Sequence, residues 1–519
     1  MSNSPKSYIP SMTDLLSSPK LKAMTNRLNP ASIFNTARSV LDEVAAEAKN
    51  AASGRRMPDI YELSERIAAR LKTVQVSQSG TLINATGVLL PPEIAVSEIP
   101  LKALDQMVTS FGGESSASSP DVLQPASMSS NDGTEMKFPL QETASVRAMI
   151  CTLTGASDAI VVNGHAAALL LAFGTLAARD HQNRRHVLTT PGDLYETLGG
   201  FRIADLLSHV GCDITMAGSL TRAILDDYAN GASDKTAMIY RADGIDGCLA
   251  LDRILPELSQ LVDFACKRNL PLVYDTEWGT FHPTAEYGLN DVPTCRDLLK
   301  QGVSLLIMSC GRLNGCDFAS ARDDADTWFA GQTRCCAPAI IMGEKSLIRE
   351  IRKSPLYSSF VPSRHDMAAL AGVLSLSMSR EMAENELPVW QLLSTDNENL
   401  KLRADRMALQ IAAIDGVTDT QVVSASACLT PLRPRYTLPS QEIRVTFESK
   451  TAIEVLAALA LAQPAASAAQ PNATRPKNKS GQLGIAATVV PDQPSTITLN
   501  LRTVFAKYDM LIVEALAML

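Results

Sequence analysis

The sequence predicts an α/β architecture, a mostly parallel central sheet covered by helices, with a helical module before it and a smaller α+β domain after it. Three observations carry that prediction. From about residue 159 to residue 310, apolar runs of strand length alternate with helical stretches, the pattern of a parallel sheet covered on both faces. Ahead of it, residues 1–75 show helical periodicity only. Beyond about residue 375 a long helix is followed by short strands of alternating polarity. The expected boundaries are 1–78 for the helical module, 79–375 for the large domain and 376–519 for the small one, with 464–481 as a flexible loop.

The totals narrow the class. A chain of 519 residues with 46% hydrophobic and 20% charged residues has the composition of a soluble protein with more than one core. A net charge of −8 argues against a broadly basic nucleic-acid-binding surface. The ten cysteines lack paired zinc-type spacing, so they read as reduced structural thiols, no metal site is expected, and Cys310, Cys316, Cys335 and Cys336 belong with the rest. No window reaches the ~18 apolar residues that span a bilayer. The expectation is a cytoplasmic protein with no membrane partner.

In chain order, Asn29-Pro30-Ala31-Ser32 introduces a helix with Ile33, Ala37, Val40, Leu41 and Val44 at helical spacing, and a second runs from Pro58 to about Val74 with Ile60, Leu63, Ile67 and Leu71 on one face. Residues 1–75 hold eleven Lys and Arg against seven Asp and Glu, which reads either as an RNA-facing module or as solvated helix faces. The Ser-rich stretch 114–135 reads as a loop. Strands follow at 159–162, 186–190, 213–217, 236–240 and 270–275, with helices at 166–178, around 200–207, at 254–267 and at 294–301. The run Val303 to Ser309 then empties into Cys310-Gly311-Arg312-Leu313-Asn314-Gly315, a buried strand ending in a tight turn that presents one long cation. Last come a helix at 397–414, strands at 442–447 and 496–501, and a closing helix at 508–519.

Three places invite chemistry. In Asn163-Gly164-His165 a strand passes into a helix through small residues, where an anion approaches the backbone closely and meets free N–H groups. Read alone, it is equally an ordinary turn, and His165 either stacks on a flat ligand or is a turn residue. Asp275 ends an apolar strand at the carboxyl edge, where open α/β sheets bind ligands, or it is a cap. Glu277 beside it is an acid or base, or a surface turn residue.

Taken in this order, these residues resemble bacterial selenocysteine synthase, L-seryl-tRNA(Sec) selenium transferase, over nearly the whole length. The most specific matches are Leu153-Thr154-Gly155-Ala156 through Asn163, Gly199-Gly200-Phe201-Arg202-Ile203-Ala204-Asp205, Pro271-Leu272-Val273-Tyr274-Asp275 and Leu499-Asn500-Leu501-Arg502. The resemblance implies the fold type I of enzymes that depend on pyridoxal phosphate (PLP), a homo-oligomer, and tRNA as a partner through residues 1–75. It also implies that Asn163, Gly164 and His165 cradle the PLP phosphate and cover its ring, and that Asp275 holds the pyridine nitrogen.

One position departs sharply. Where the family reads Ser-Gly-Asp-Lys-Leu-Leu, with the lysine that forms the Schiff base, this chain reads Ser309-Cys310-Gly311-Arg312-Leu313-Asn314. Arginine stays protonated and is a poor amine nucleophile, so Arg312 does not replace that lysine covalently. Several family cations are absent as well: Pro91-Pro92-Glu93-Ile94 stands for Asn-Leu-Gly-Arg, and Ser354-Pro355-Leu356-Tyr357-Ser358 for a basic segment. Three functions remain in view. One is a divergent enzyme holding PLP noncovalently and acting on a small amino-acid-like substrate by elimination or β-replacement; the second is a non-catalytic, oligomeric or regulatory descendant; the third, ranked last, is a true seryl-tRNA(Sec) selenium transferase that binds PLP and takes tRNA on residues 1–75.

Overall fold

The computed structural model describes residues 59–76, 81–91, 99–112, 141–178, 184–197, 201–243, 253–276, 279–290, 292–311, 338–430, 436–460, 483–490 and 493–519, with scattered positions between 12 and 44. Arg312, Glu277, Cys316, Cys335, Cys336 and the expected loops at 114–135 and 464–481 lie outside the described residues. The chain forms two compact units, Met1–Leu82 with Ala460–Gly484, and Ile83–Leu459 with Ile485–Leu519.

Up to Val76 the regular structure of the first unit is helical among its described residues. Helix α1 (Ile60–Val76) turns Leu63 and Ile67 inward, and they share a core with Ile33, Ala37, Val40 and Val44, which repeat at the predicted helical period. Ile60, at the start of the helix, is 40% exposed.

The second unit is built on a seven-stranded sheet. Strand β1 (Thr81–Asn84) precedes it and pairs elsewhere. The sheet itself uses β2 (Asp158–Val162), then helix α2 (His165–Ala178), β3 (His186–Thr189), β4 (Asp213–Met216), β5 (Thr236–Ala242), helix α3 (Leu258–Lys267), β6 (Leu272–Thr276), helix α4 (Cys295–Lys300), β7 (Leu305–Ser309) and β8 (Ala339–Gly343). Its order is β2-β8-β7-β6-β5-β3-β4. Pairing is parallel from β7 through β6, β5 and β3 to β4, and β8 runs antiparallel to both its neighbours. Strands β2, β6, β7 and β8 are buried at every position, so each reads as an apolar run rather than an alternation.

Each face of the sheet carries its own core. Val162, Phe173, Tyr240, Val273 and Ile307 share one, under α2. Leu188, Ile239, Leu272, Tyr274 and Leu306 share the other. Helix α2 is apolar on nearly all sides, as a helix enclosed by a large core must be. Helix α4 starts where Thr294 accepts the amide of Asp297 at 3.1 Å.

The C-terminal part has helix α5 (Asn397–Ala412), β9 (Val417–Cys428), β10 (Thr437–Phe447), β11 (Leu483–Ala486), β12 (Thr488–Val489), β13 (Thr496–Asn500) and helix α6 (Asp509–Ala517). Strands β12, β13, β10 and β9 form an antiparallel sheet in that order, and β11 pairs with β1. Among the described residues no helix is long and apolar enough to cross a membrane.

Strands β1, β8, β11 and β12 have no counterpart in the sequence prediction, and two further elements differ from expectation. Helix α3 begins at Leu258, not at 254: Pro256 interrupts the run, and Ile254 forms an extended bridge with Arg222. Strand β9 is unanticipated, because Val417-Thr418-Asp419-Thr420-Gln421 is mostly polar and half exposed, and its extension comes from pairing along β10.

Candidate active site

Strand β6 brings Asp275 to the carboxyl edge of the sheet, in register with Ala242 at the end of β5. Alternation along β6 sends Tyr274 to one face and Asp275 to the other, toward α2. The carboxylate is 0% exposed, and burial of a charge demands donors. It has three. His165 Nε2 lies 2.7 Å from Oδ1, and the Tyr240 hydroxyl donates to Oδ2 at 2.8 Å. The Tyr195 hydroxyl reaches the same Oδ2 at 3.5 Å. Opposite a carboxylate, Nε2 is the ring nitrogen that carries the proton.

The partners are themselves held in place. The Tyr240 ring meets the Phe173 ring of α2 edge-on, with centroids 5.1 Å apart. Burial, and then the charge of Asp275, push the Tyr240 phenol well above the usual range, so it remains a donor. His165 opens α2, and its ring stands 6.3 Å from that of Phe201 at a tilt of 41°.

The turn before His165 is tight. The Asn163 amide donates to the Phe360 carbonyl at 2.7 Å and the Gly164 amide to Val162 at 2.9 Å, while Asn163 is exposed. Gly164 has φ +108°, and a Cβ built there meets no described residue within 4 Å. The glycine therefore leaves room in front of the first turn of a 14-residue helix, whose leading amides lack intrahelical partners. A buried carboxylate at one end and an open, amide-bearing turn at the other fit a flat ring carrying a nitrogen and a phosphate.

Behind this site, on the other face of β5 and β6, lies a second polar cluster. Asp193 is 0% exposed and pairs with Arg253 at 3.3 Å; the Arg253 side chain is 2% exposed and also donates to Thr190 Oγ1 at 2.6 Å. Tyr274 donates to Asp243 beside it. Gly192 admits the guanidinium, since a Cβ there would come within 2.6 Å of the Arg253 Cζ.

Of the sequence-predicted residues, the structure brings His165 and Asp275 into contact and sets Gly164 beside them; Asn163 contributes its backbone, and Arg312 lies outside the described residues. Sequence reasoning missed Tyr195 and Tyr240. The one available signal was a tyrosine in the apolar strand Met238-Ile239-Tyr240, where a buried hydroxyl demands a partner.

Residues 132–322 and 325–471 match the family model described as SelA: L-seryl-tRNA selenium transferase. The chain belongs to this family. It is 26% identical over 462 residues to the L-seryl-tRNA(Sec) selenium transferase of Rhizobium meliloti, covering 87% of this chain and 89% of that one. Its identity to the corresponding protein of Methylocella silvestris is 26%, covering 78% of each, and to that of Desulfotalea psychrophila 28%, covering 68% and 66%. Among solved structures, D-glucosaminate-6-phosphate ammonia-lyase aligns with a TM-score of 0.52 at 14% identity, over 89% of this chain and 98% of that one, a likeness of fold. The architecture is the PLP-dependent transferase fold type I, and the protein is a divergent, selenocysteine-synthase-like member of that superfamily, in which pyridoxal phosphate is the family cofactor.

Proposed function

We propose that the chain binds pyridoxal phosphate noncovalently between the Gly164 turn and Asp275, and acts on an amino-acid-type substrate by elimination or β-replacement. The observation that carries this reading is the fully buried Asp275 carboxylate at the end of β6, facing a glycine turn with open space at the head of α2. When bound, the cofactor supplies an electron-poor ring that stabilises negative charge developing on the substrate carbon.

The remaining work falls to the protein. Asp275 would hold the protonated ring nitrogen, and Tyr240 and Tyr195 fix the orientation of the carboxylate through Oδ2. The amides leading α2 bind the phosphate, with Asn163, Gly164 and His165 forming the cradle. His165, with a side chain 10% exposed, shields the carboxylate from water. Arg312, at the position of the family's anchoring lysine, supplies charge and no covalent attachment. The relatives named above are transferases of seryl-tRNA(Sec), so tRNA is the macromolecular partner in this reading. Residues 1–75, with their excess of Lys and Arg, are its contact, and the assembly is a homo-oligomer acting in the cytoplasm.

The test is a PLP titration of wild type and Arg312→Lys, followed by dialysis and by visible absorbance. Wild type is expected to take up PLP saturably and release it after borohydride treatment, whereas the lysine variant retains it covalently. Neither saturable uptake nor a rise in melting temperature with PLP in either protein would favour the non-catalytic descendant.

A further inference from the structure

The helix Lys345–Lys353 follows β8 and packs on β2 and α2. Its inner side is apolar: Leu347, Ile348 and Ile351 are at most 1% exposed and belong to the core under α2. Its outer side is basic. Lys345, Arg349 and Lys353 are exposed and recur every fourth residue, which sets them in one stripe about 12 Å long at about 1.5 Å of rise per residue. Among the described residues, none of the three has a side-chain hydrogen-bond or ion-pair partner. Beside the stripe, Arg352 and Arg147 converge on one carboxylate, Asp158, at 3.4 and 2.5 Å, so two guanidiniums share a single negative charge. The acids of the helix are Glu344 at its cap and the half-buried Glu350.

Helix stability does not account for this stripe. Like charges four residues apart weaken a helix, and both steps along the stripe are such pairs. Lys345 opens the helix, at the end whose free amides repel a cation. The remaining exposed residue is Ser346, so no apolar side chain faces outward to enter a membrane or to form the core of a protein interface. Regularly spaced cations without apolar company match a chain of phosphates. The helix also flanks α2, whose head is the Gly164 turn, and beyond its end the Phe360 carbonyl accepts the Asn163 amide at 2.7 Å.

We infer that Lys345, Arg349 and Lys353 form a contact for the phosphate backbone of tRNA, separate from residues 1–75 and on the helix that flanks the candidate active site. The inference rests on tRNA as the partner in the reading above and adds a second place of contact. A backbone contact is indifferent to base sequence, so unfractionated bacterial tRNA serves as the probe.

Labelled at its 3′ end with a fluorophore, that tRNA is titrated with the full chain by anisotropy across a series of salt concentrations. Three proteins are compared: wild type, the triple variant Lys345→Gln, Arg349→Gln, Lys353→Gln, and a control triple, Lys267→Gln, Lys300→Gln, Lys401→Gln, which removes equal charge from exposed positions elsewhere. Loss of three phosphate contacts is expected to flatten the slope of log affinity against log salt by about 2–3 and to weaken binding at about 0.1 M salt at least about tenfold. The control triple should stay within about twofold of wild type. Equal weakening by both triples overturns the inference, because net charge alone would then explain it. Unchanged binding by the Lys345, Arg349 and Lys353 triple overturns it too, and leaves the contact through residues 1–75 standing. Absence of saturable tRNA binding by wild type sinks the partner reading and this inference together. In case the triple fails to fold, wild type alone gives a second measurement, lysine acetylation with and without tRNA read by mass spectrometry. Lys345 and Lys353 are expected to be protected by tRNA while Lys300 and Lys401 are not, and equal labelling of Lys345 and Lys353 in both samples overturns the inference.

Discussion

The two faces of β5 and β6 solve the same problem, a buried carboxylate, in opposite ways. On one face Asp193 is neutralised by Arg253, a guanidinium that never gives up its charge and is itself 2% exposed. On the other, the described partners of Asp275 are two phenols and an imidazole. A guanidinium pair cannot be displaced without stranding two charges, so the Asp193 face is fixed structure. The Asp275 face holds its carboxylate with phenol hydroxyls and an imidazole instead. Neighbouring residues in one strand, Tyr274 and Asp275, thus serve a brace and, in the proposed reading, a binding surface.

The contrast is sharpest under mutation. Arg253→Ala removes the guanidinium paired with Asp193, leaving the carboxylate to Thr190, the Ala242 amide and the charge of Arg241, and should cost about 3 kcal/mol, seen as a large fall in melting temperature with no rescue by PLP. An equally large fall for Asp275→Asn would erase the distinction between the faces. Tyr240→Phe removes the shorter bond to Oδ2 and should cost about 1.5–3 kcal/mol in the ligand-free protein, and Tyr195→Phe, from 3.5 Å, clearly less. Gly164→Ala meets no neighbour among the described residues and is opposed by its backbone conformation at φ +108°, about 1–3 kcal/mol. Gly192→Ala drives a Cβ against the Arg253 guanidinium and should weaken the Asp193 face instead. The melting temperatures of the two alanine variants, with and without PLP, separate these cases.

The smallest effect concerns alkali and touches both faces. Burial and then a neighbouring carboxylate, Asp275 for Tyr240 and Asp243 for Tyr274, raise each phenol well above its usual pKa. The folded chain therefore favours the protonated phenol. That stabilisation is complete below the ordinary phenol pKa and disappears as pH climbs through the raised one. Melting curves taken upward from neutral pH should show a falling alkaline limb, which Tyr240→Phe and Tyr274→Phe each make shallower.

Much of this was legible beforehand, for identifiable reasons. The parallel strands announced themselves because burial on both faces makes Leu272-Val273-Tyr274 and Leu305-Leu306-Ile307 nearly continuous apolar runs. Asp275 stood out as the carboxylate closing such a run, and Gly164-His165 as a turn where strand period gives way to helix. Tyr195, Tyr240 and the Arg253 pair were not legible as partners. Their meeting depends on the β5–β6 register and on where the chain after β3 folds back, which no local spacing encodes. Strand β9 escaped for a related reason, being held by pairing rather than by its own composition.

The place of β8 has a consequence for how the molecule is made. Strand β2, which leads straight into the Gly164 turn, is joined to the sheet through β8 alone, and β8 comes from residues 339–343. During synthesis, strands β3 to β7 have their parallel neighbours as soon as they emerge, whereas β2 must wait until β8 has left the ribosome. The two halves of the site are thus assembled at different times: the carboxylate with the early strands, and the turn that faces it among the last pieces to dock.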